Sequence, residues 1–332
     1  MSEKVLLTGI SGFIGKHIAV KLLNAGHRLR GSLRDMSRAD EVRAALAPHA
    51  DLKHLSFVEL DLNSDTGWAE AMTGITALIH TASPFPLEQP KDEQDLIRPA
   101  VDGTMRAMTT ARAAGVMRVI LTSSTVALND AHHRGMFDET TWCDPEDQAT
   151  NAYAKSKTLA ERAAWDFAIA QGMKLTVINP GFVMGPPLDR HFGSSLSVVA
   201  RLLRGKDPML PNIGFAVVDV RDVAEAHLRA LQRLDSVGKR FPCVTGTITL
   251  PEMGQVLKKA YPTHRIATRT APLFVLRFMA MFDPKIREIM PELGRVHQVS
   301  NTRARRDLDM RFISSEGALR ASAEWLIDNN AL

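Results

Sequence analysis

The chain has 332 residues, 45% of them hydrophobic and 23% charged, with 41 Lys and Arg against 37 Asp and Glu for a formal charge of +4. Those proportions exclude a disordered chain, and acidic and basic residues alternate without the long like-charged run of a nucleic-acid arm. Cys143 and Cys243 lie far apart with no CxxC or Cys/His ligand spacing, so neither a disulfide framework nor a metal site is indicated, and a reducing, cytoplasmic setting is expected.

The chain begins Met-Ser-Glu-Lys and enters an apolar run at Val5 without the basic and long apolar stretches of a secretory leader. Residues 5–8 read as a strand, 13–25 as a helix closed by Gly26, and 27–33 as the next strand. Further strands are expected at 54–59, 77–81, 116–122 and 175–179, each separated by a helical segment. Strands alternating with amphipathic helices predict a parallel sheet covered on both faces.

After Pro180 the pattern loosens, with Pro186, Pro187, Pro208 and Pro211 breaking the chain. The expected division is a nucleotide domain over 1–180 and a smaller substrate lobe over 181–332. The two interleave through a strand near 216–235, where Val217, Val218 and Val220 read as returning to the main sheet. Asp222 reads as the cap of a helix over 222–233. Arg303, Arg305 and Arg306 read as a solvated, ion-paired helix start. Residues 273–282 are interrupted by Arg277 and bounded by Pro272 and Pro284, far short of the ~20 residues of a membrane helix. A core or partner-facing helix is expected there, and no membrane partner.

The first strand runs into Gly9-Ile10-Ser11-Gly12-Phe13-Ile14-Gly15, followed directly by a helix. Three glycines in that setting permit a tight turn, close approach of backbone to a pyrophosphate, and close helix packing, with the helix N-terminus at Phe13 and Ile14 aimed at negative charge. This is the fingerprint of a dinucleotide site in a Rossmann sheet. At the end of the second strand, Arg34 and Arg38 point to the 2′-phosphate of NADP(H), since guanidinium groups match phosphate geometry. The competing reading, in which Asp35 holds an NAD ribose, stays open. Asp61 and Leu62, after the third strand, are placed to meet the adenine; an ordinary turn aspartate is the alternative.

Tyr153-Ala154-Lys155-Ser156-Lys157 opens a helical segment, and spacing of four puts Tyr153 and Lys157 on one face. An ammonium about 4 Å from a phenol at an effective dielectric near 20 favours the phenolate by roughly 4 kcal/mol, about three pKa units. Such a phenol could protonate a carbonyl oxygen that receives a hydride. Ser124, just beyond the 116–122 strand, could donate to the same oxygen. His132 and His133 lack a third ligand and read as loop histidines.

With these motifs in this order, the sequence resembles the extended short-chain dehydrogenase/reductase family over nearly its whole length. Within it, Thr8 to Gly15, Ile79 to Phe85, Thr122-Ser123-Ser124, Phe137 to Trp142, Tyr153 to Lys157 and Asn179 to Pro186 look most like the branch of dihydroflavonol, cinnamoyl and NADPH-dependent aldehyde/ketone reductases. The resemblance implies a Ser124, Tyr153, Lys157 triad, with Thr122, Ala82 and Ser83 along the cofactor, Pro180 and Val183 at its carboxamide end, and Lys157 on its nicotinamide ribose. Asn129 matches an asparagine that positions flavonoids in plant reductases, although Thr125-Val126-Ala127-Leu128 replaces their small residues. An apolar or aromatic pocket is expected from Phe85, Pro86, Met184, Leu188, His191, Phe192, Met209 and Phe215. The implied activity is NADPH-dependent reduction of a small-molecule aldehyde or ketone, by a monomer or homodimer. Two alternatives stand beside it: a nucleotide-sugar epimerase/dehydratase or hydroxysteroid-type dehydrogenase, with Arg201 and Arg204 on a diphosphate, and a non-catalytic NADP-sensing protein.

Overall fold

Short apolar runs separated by helices build the main sheet of this computed structural model, which describes residues 2–83, 92–130 and 135–332. Its strands run β1 (Lys4–Thr8), β2 (Arg28–Leu33), β3 (Leu55–Glu59), β4 (Ala77–His80), β5 (Arg118–Thr122), β6 (Met136–Phe137), β7 (Lys174–Pro180), β8 (Phe182–Met184), β9 (Gly214–Asp219), β10 (Lys239–Cys243), β11 (Gly246–Thr249) and β12 (Gln298–Val299). Seven of them form one parallel sheet in the order β10-β7-β5-β4-β1-β2-β3. The chain order reverses between β1 and β4, which opens a crevice beyond the C-terminal ends of those strands. β5 is buried along its whole length, as a strand covered on both faces must be.

Each face carries its own core. Ile18, Leu22 and Leu23 of the helix Phe13–Asn24 meet Ala226, Ala230 and Leu231 of the helix Val220–Gln232 on one side. On the other, Ala107, Met108 and Ala111 of the helix Gln94–Ala113 pack with Ala164 and Ala168 of the helix Ala152–Gln171, beside a fully buried Trp68. Each large apolar side chain removed from water this way stabilises the fold by about 1.5–3 kcal/mol. The alanine-rich contact lets the helices Gln94–Ala113 and Ala152–Gln171, the second of which carries Tyr153, approach closely.

The returning strand lies elsewhere than the sequence indicates. β9 joins β8 and β11 in a separate three-stranded sheet, and β10 is the strand that returns to the main one. Val217, Val218 and Val220 are fully buried, Val217 in the core around Val199 and Val218 in that of the main sheet, and Val220 already begins a helix. That helix is capped by Asp219, which accepts from Arg221 N at 2.8 Å. Asp222 is therefore not the cap. It is buried and accepts from Ile313 N at 2.8 Å, and burial pushes its carboxyl up to about 6. Beyond β8 the chain builds a further core that includes Val199, Leu203, Met253, Leu257 and Leu319. The loop after β8 is tied to the helices Phe13–Asn24 and Ala39–Leu46 by Lys16–Asp189, by His17 to Pro186 O at 3.0 Å and by His191–Glu41 at 2.8 Å.

The helix Leu273–Met279 buries Leu276 and exposes Phe274 and Phe278, so it is a surface element more than a core one. In the arginine cluster, Arg306 pairs with Asp307, while Arg303 turns inward to Glu139 at 2.8 Å. His132, His133, Phe85 and Pro86 lie outside the described residues.

Candidate active site

The turn after β1 is built so that only glycine fits. Gly9 has φ of 72°, and a Cβ on it would stand 3.0 Å from the Ala82 backbone. A Cβ on Gly15 would come within 2.2 Å of Gly9 O. The helix that follows starts at Phe13 with no side-chain cap and no acidic residue in its first turn, so its free amides and positive dipole end face the crevice. This cradle fits a pyrophosphate: backbone donors, no competing carboxylate and no side chain in the way.

A cleft of about 610 Å³ runs from this turn across the strand ends. Gly9, Gly12, Phe13, Ile14, Gly15, Ser83, Thr122, Ser124, Asn129, Tyr153, Lys157, Val183 and Phe215 all line it, uniting residues expected separately from the sequence. Ser124 leaves β5 and caps the short turn Thr125–Ala127, its Oγ accepting from Val126 N at 3.3 Å. Tyr153 sits in the first turn of its helix, which Asn151 caps by accepting from Ala154 N at 2.9 Å. The phenol and the Ser124 side chain share a hydrogen bond. Lys157 Nζ lies 6.0 Å from the Tyr153 ring centroid.

The electrostatics differ from the sequence expectation. Burial pushes the Tyr153 phenol up to about 12, only partly offset by Ser124, and burial brings Lys157 down to about 8, against the pull of Glu161. Loss of hydration outweighs the Ser124 hydrogen bond at the phenol and the Glu161 charge at the ammonium because both groups are taken from water. The expected three-unit acidification of the phenol is therefore not present in this arrangement.

The model of the NAD dependent epimerase/dehydratase family matches residues 5–242. The chain belongs to that family. It is one of the extended short-chain dehydrogenase/reductases. It is similar to cinnamoyl-CoA reductase 1 of Oryza sativa subsp. japonica, at 33% identity over 267 residues covering 79% of this chain and 77% of the relative. Similarity to dihydroflavonol 4-reductase of Zea mays is 29% over 280 residues, covering 81% and 78%. Among solved structures, the yeast methylglyoxal/isovaleraldehyde reductase complexed with NADPH superposes with a TM-score of 0.81 at 25% identity, covering 99% of this chain and 100% of that one. Vestitone reductase from alfalfa gives 0.78 at 25% identity, with both chains covered completely.

In this family member the remaining expected residues fall into two groups. Arg34 is exposed just past β2, whereas Arg38 is held by both oxygens of Glu41 at 3.2 and 3.1 Å. Asp35 is used as a turn cap, accepting from Ser37 N at 2.9 Å. Asp61 also closes a turn, accepting from Asn63 N at 2.9 Å, and Leu62 packs beside Gly103. Ala82 donates its amide to Thr8 Oγ1 at 3.1 Å, and Pro180 is buried at the end of β7; neither lines the cleft. The Thr122 hydroxyl is engaged with His227 Nε2 at 2.8 Å.

Met184 is a correction: it is fully buried in the lobe core, because β8 turns that side chain away from the cleft. Leu188, His191, Phe192 and Met209 likewise do not line the cleft; Phe192 packs edge-on against Trp325 at 5.9 Å. Asn129 does line it, and its Oδ1 has no hydrogen-bond partner among the described residues.

Sequence reading missed the layer behind the triad. Glu161, buried one turn past Lys157, accepts from Arg240 Nε at 2.5 Å and Asn179 Nδ2 at 2.8 Å. Asn179 also donates to Ser124 O at 3.3 Å, and the Arg240 guanidinium lies 3.6 Å over the Trp142 ring. Glu161 continues the Tyr153, Lys157 face at spacing four, which was the available signal; Arg240 had none, since nothing local marks it as buried.

Proposed function

We propose that this protein reduces the carbonyl of a hydrophobic or aromatic aldehyde or ketone with NADPH, and that Tyr153 supplies the proton. The chain is an NAD(P)-dependent oxidoreductase acting on carbonyl groups; the proposal concerns the substrate, the proton donor and the preference for NADPH. The observation that carries it is the convergence of Ser124, Tyr153 and Lys157 on the cleft that begins at the glycine turn.

Gly9, Gly12 and Gly15 would hold the pyrophosphate and Arg34 the 2′-phosphate, with Ser83 and Val183 along the body of the cofactor. When bound, NADPH supplies the hydride for the carbonyl carbon. The Tyr153 hydroxyl gives its proton to the carbonyl oxygen as that oxygen becomes an alkoxide. A phenol near 12 is protonated at neutral pH, as a proton donor must be, and is far more acidic than the alcohol its proton forms. Ser124 hydrogen-bonds the same oxygen and stabilises its developing charge. The Lys157 cation, held in the same low-dielectric wall, stabilises the phenolate left behind. Phe182 and Phe215, 4.5 Å apart, give the substrate end an aromatic surface.

The epimerase alternative gains no support from its expected diphosphate grip: Arg201 is engaged by Asp207 at 2.7 Å and neither Arg201 nor Arg204 lines the cleft. A sensing role has no use for the triad. The test follows NADPH and NADH oxidation against aryl aldehydes, aliphatic ketones, β-keto esters and dihydroflavonols. Tyr153→Phe should lower kcat by about 10²–10⁴ with NADPH binding retained; full turnover in the variant would remove Tyr153 as donor.

A further inference from the structure

The wall of the cleft facing the nucleotide domain comes from the second lobe. Beside Ile213 and Phe215 stand two residues from a later segment, Glu292 and His297. His297 Nε2 lies 3.5 Å from Glu292 Oε2, and Arg295 Nη1 lies 3.8 Å from Oε1. Together these neighbours hold the Glu292 carboxyl below the usual carboxylate range. The segment is fixed from both ends of the pair. Gly294 N donates to Asn212 O at 2.8 Å, Gly214 N to Arg295 O at 3.2 Å and Thr247 Oγ1 to His297 O at 2.8 Å. Its continuation pairs as β12 with β6, and the His297 ring packs on Phe137 at 5.5 Å. Gly214 permits the approach, since a Cβ there would meet Arg295 O at 3.2 Å.

A carboxylate held in place by a histidine and an arginine, on a wall that also carries Ile213 and Phe215, favours ligands that can donate to it over those that cannot. Among the described residues lining the cleft, Asp130 and Glu292 are the carboxylates. Asp130 lies with Ser124 and Asn129 on the nucleotide-domain side, whereas Glu292 belongs to the lobe. We propose that Glu292, oriented by His297 and Arg295, is a specificity-determining residue: it accepts a hydrogen bond from a hydroxyl group on the substrate remote from the carbonyl, and it repels substrates that carry an anion at that end. This rests on the reductase reading. It deepens that reading by setting the preferred substrate as a donor-bearing aryl carbonyl compound rather than an acidic one.

The experiment compares 4-hydroxy-, 4-methoxy- and 4-carboxy-substituted benzaldehydes and the longer cinnamaldehydes, which keep the carbonyl and change only the far end and its reach. In at least one of the two series the wild type should prefer hydroxy over methoxy by about tenfold in kcat/KM. Glu292→Met should reduce that preference to about threefold or less, through a higher KM for the hydroxy compound. Both Glu292→Met and the milder Glu292→Gln should raise kcat/KM for the carboxy compound by about tenfold, since each removes a like charge. An unchanged unfolding midpoint and unchanged NADPH affinity in either variant report an intact fold. A wild type that uses the methoxy compounds but shows no hydroxy preference, or variants that leave both ratios unchanged, overturn the role of Glu292 alone. A wild type that reduces none of the six overturns the reductase reading and this role with it.

Discussion

Replacing Lys157 with methionine should make the protein more stable and less active, and the gain in stability should depend on pH. Lys157 is 9% exposed and burial lowers it from 10.5 to about 8. At about 1.36 kcal/mol for each tenfold change in proton affinity, keeping this ammonium charged inside the fold costs about 3 kcal/mol. The sign follows from proton counting. Between those two values the unfolded chain binds the proton that the folded chain lacks, so wild-type stability rises with pH across the window. The cost is present in full below about pH 8 and is recovered towards pH 10.5. Tyr153, raised from 10.0 to about 12, is protonated in both states below that range and does not interfere. Methionine fills a similar volume without the charge, and Glu161 keeps Arg240 as its ion-pair partner. Urea unfolding should therefore show Lys157→Met more stable than wild type by about 3 kcal/mol near pH 7, falling to about 1–2 kcal/mol near pH 9.5. A variant less stable than wild type at pH 7, or a difference that does not change with pH, would refute the claim that this cation is held against its hydration. Carbonyl reduction by the same variant should fall sharply, which would place the stability cost at a residue the chemistry requires.

Other outcomes follow from single contacts. Arg34→Ala should weaken NADPH binding by about 10- to 100-fold, the worth of a charge-assisted hydrogen bond to phosphate, and leave NADH binding nearly unchanged in titrations of the two cofactors. Equal loss for both would remove Arg34 from the 2′-phosphate. Gly15→Ala drives a methyl group to within 2.2 Å of Gly9 O; the turn must open, so cofactor affinity should drop together with about 1–3 kcal/mol of stability. An unchanged cofactor dissociation constant would contradict the cradle. Arg240→Leu leaves the buried Glu161 carboxylate without its ion-pair partner, and equilibrium unfolding should register a loss of about 3–5 kcal/mol. A loss below about 1 kcal/mol would mean the pair contributes no more than a surface bridge.

Much of the nucleotide half was legible because its signals are local. The glycine turn must be glycine for backbone reasons that a sequence displays directly, and the strands β1 to β5 and β7 are apolar runs whose expected limits fall within two residues of those found. Tyr153 and Lys157 share a face because helical spacing puts them there. The lobe was less legible. Val217 and Val218 look like a strand of the main sheet, and they are a strand, but which sheet they join depends on the partner edge. That edge is offered by β8 and β11, while β10, a run containing Lys239, Arg240 and Pro242, fills the place beside β7. Its two cations are absorbed by pairing Lys239 with Asp307 and Arg240 with Glu161.

From order and spacing alone came the parallel sheet, the glycine turn and the shared helical face of Tyr153 and Lys157, since each rests on backbone geometry or on residues a few positions apart; the grouping of Ser124 with them came from the family resemblance. Contacts between distant segments settled the rest: that Met184 faces the lobe core, that Arg38 is occupied by Glu41, that Glu161 and Arg240 support the triad from behind, and that Glu292 and His297 reach the cleft at all. They also set the direction in which burial shifts Tyr153 and Lys157. A pKa is set by how much water the folded chain removes and by which charges it brings near, and neither quantity is encoded in any short stretch of residues.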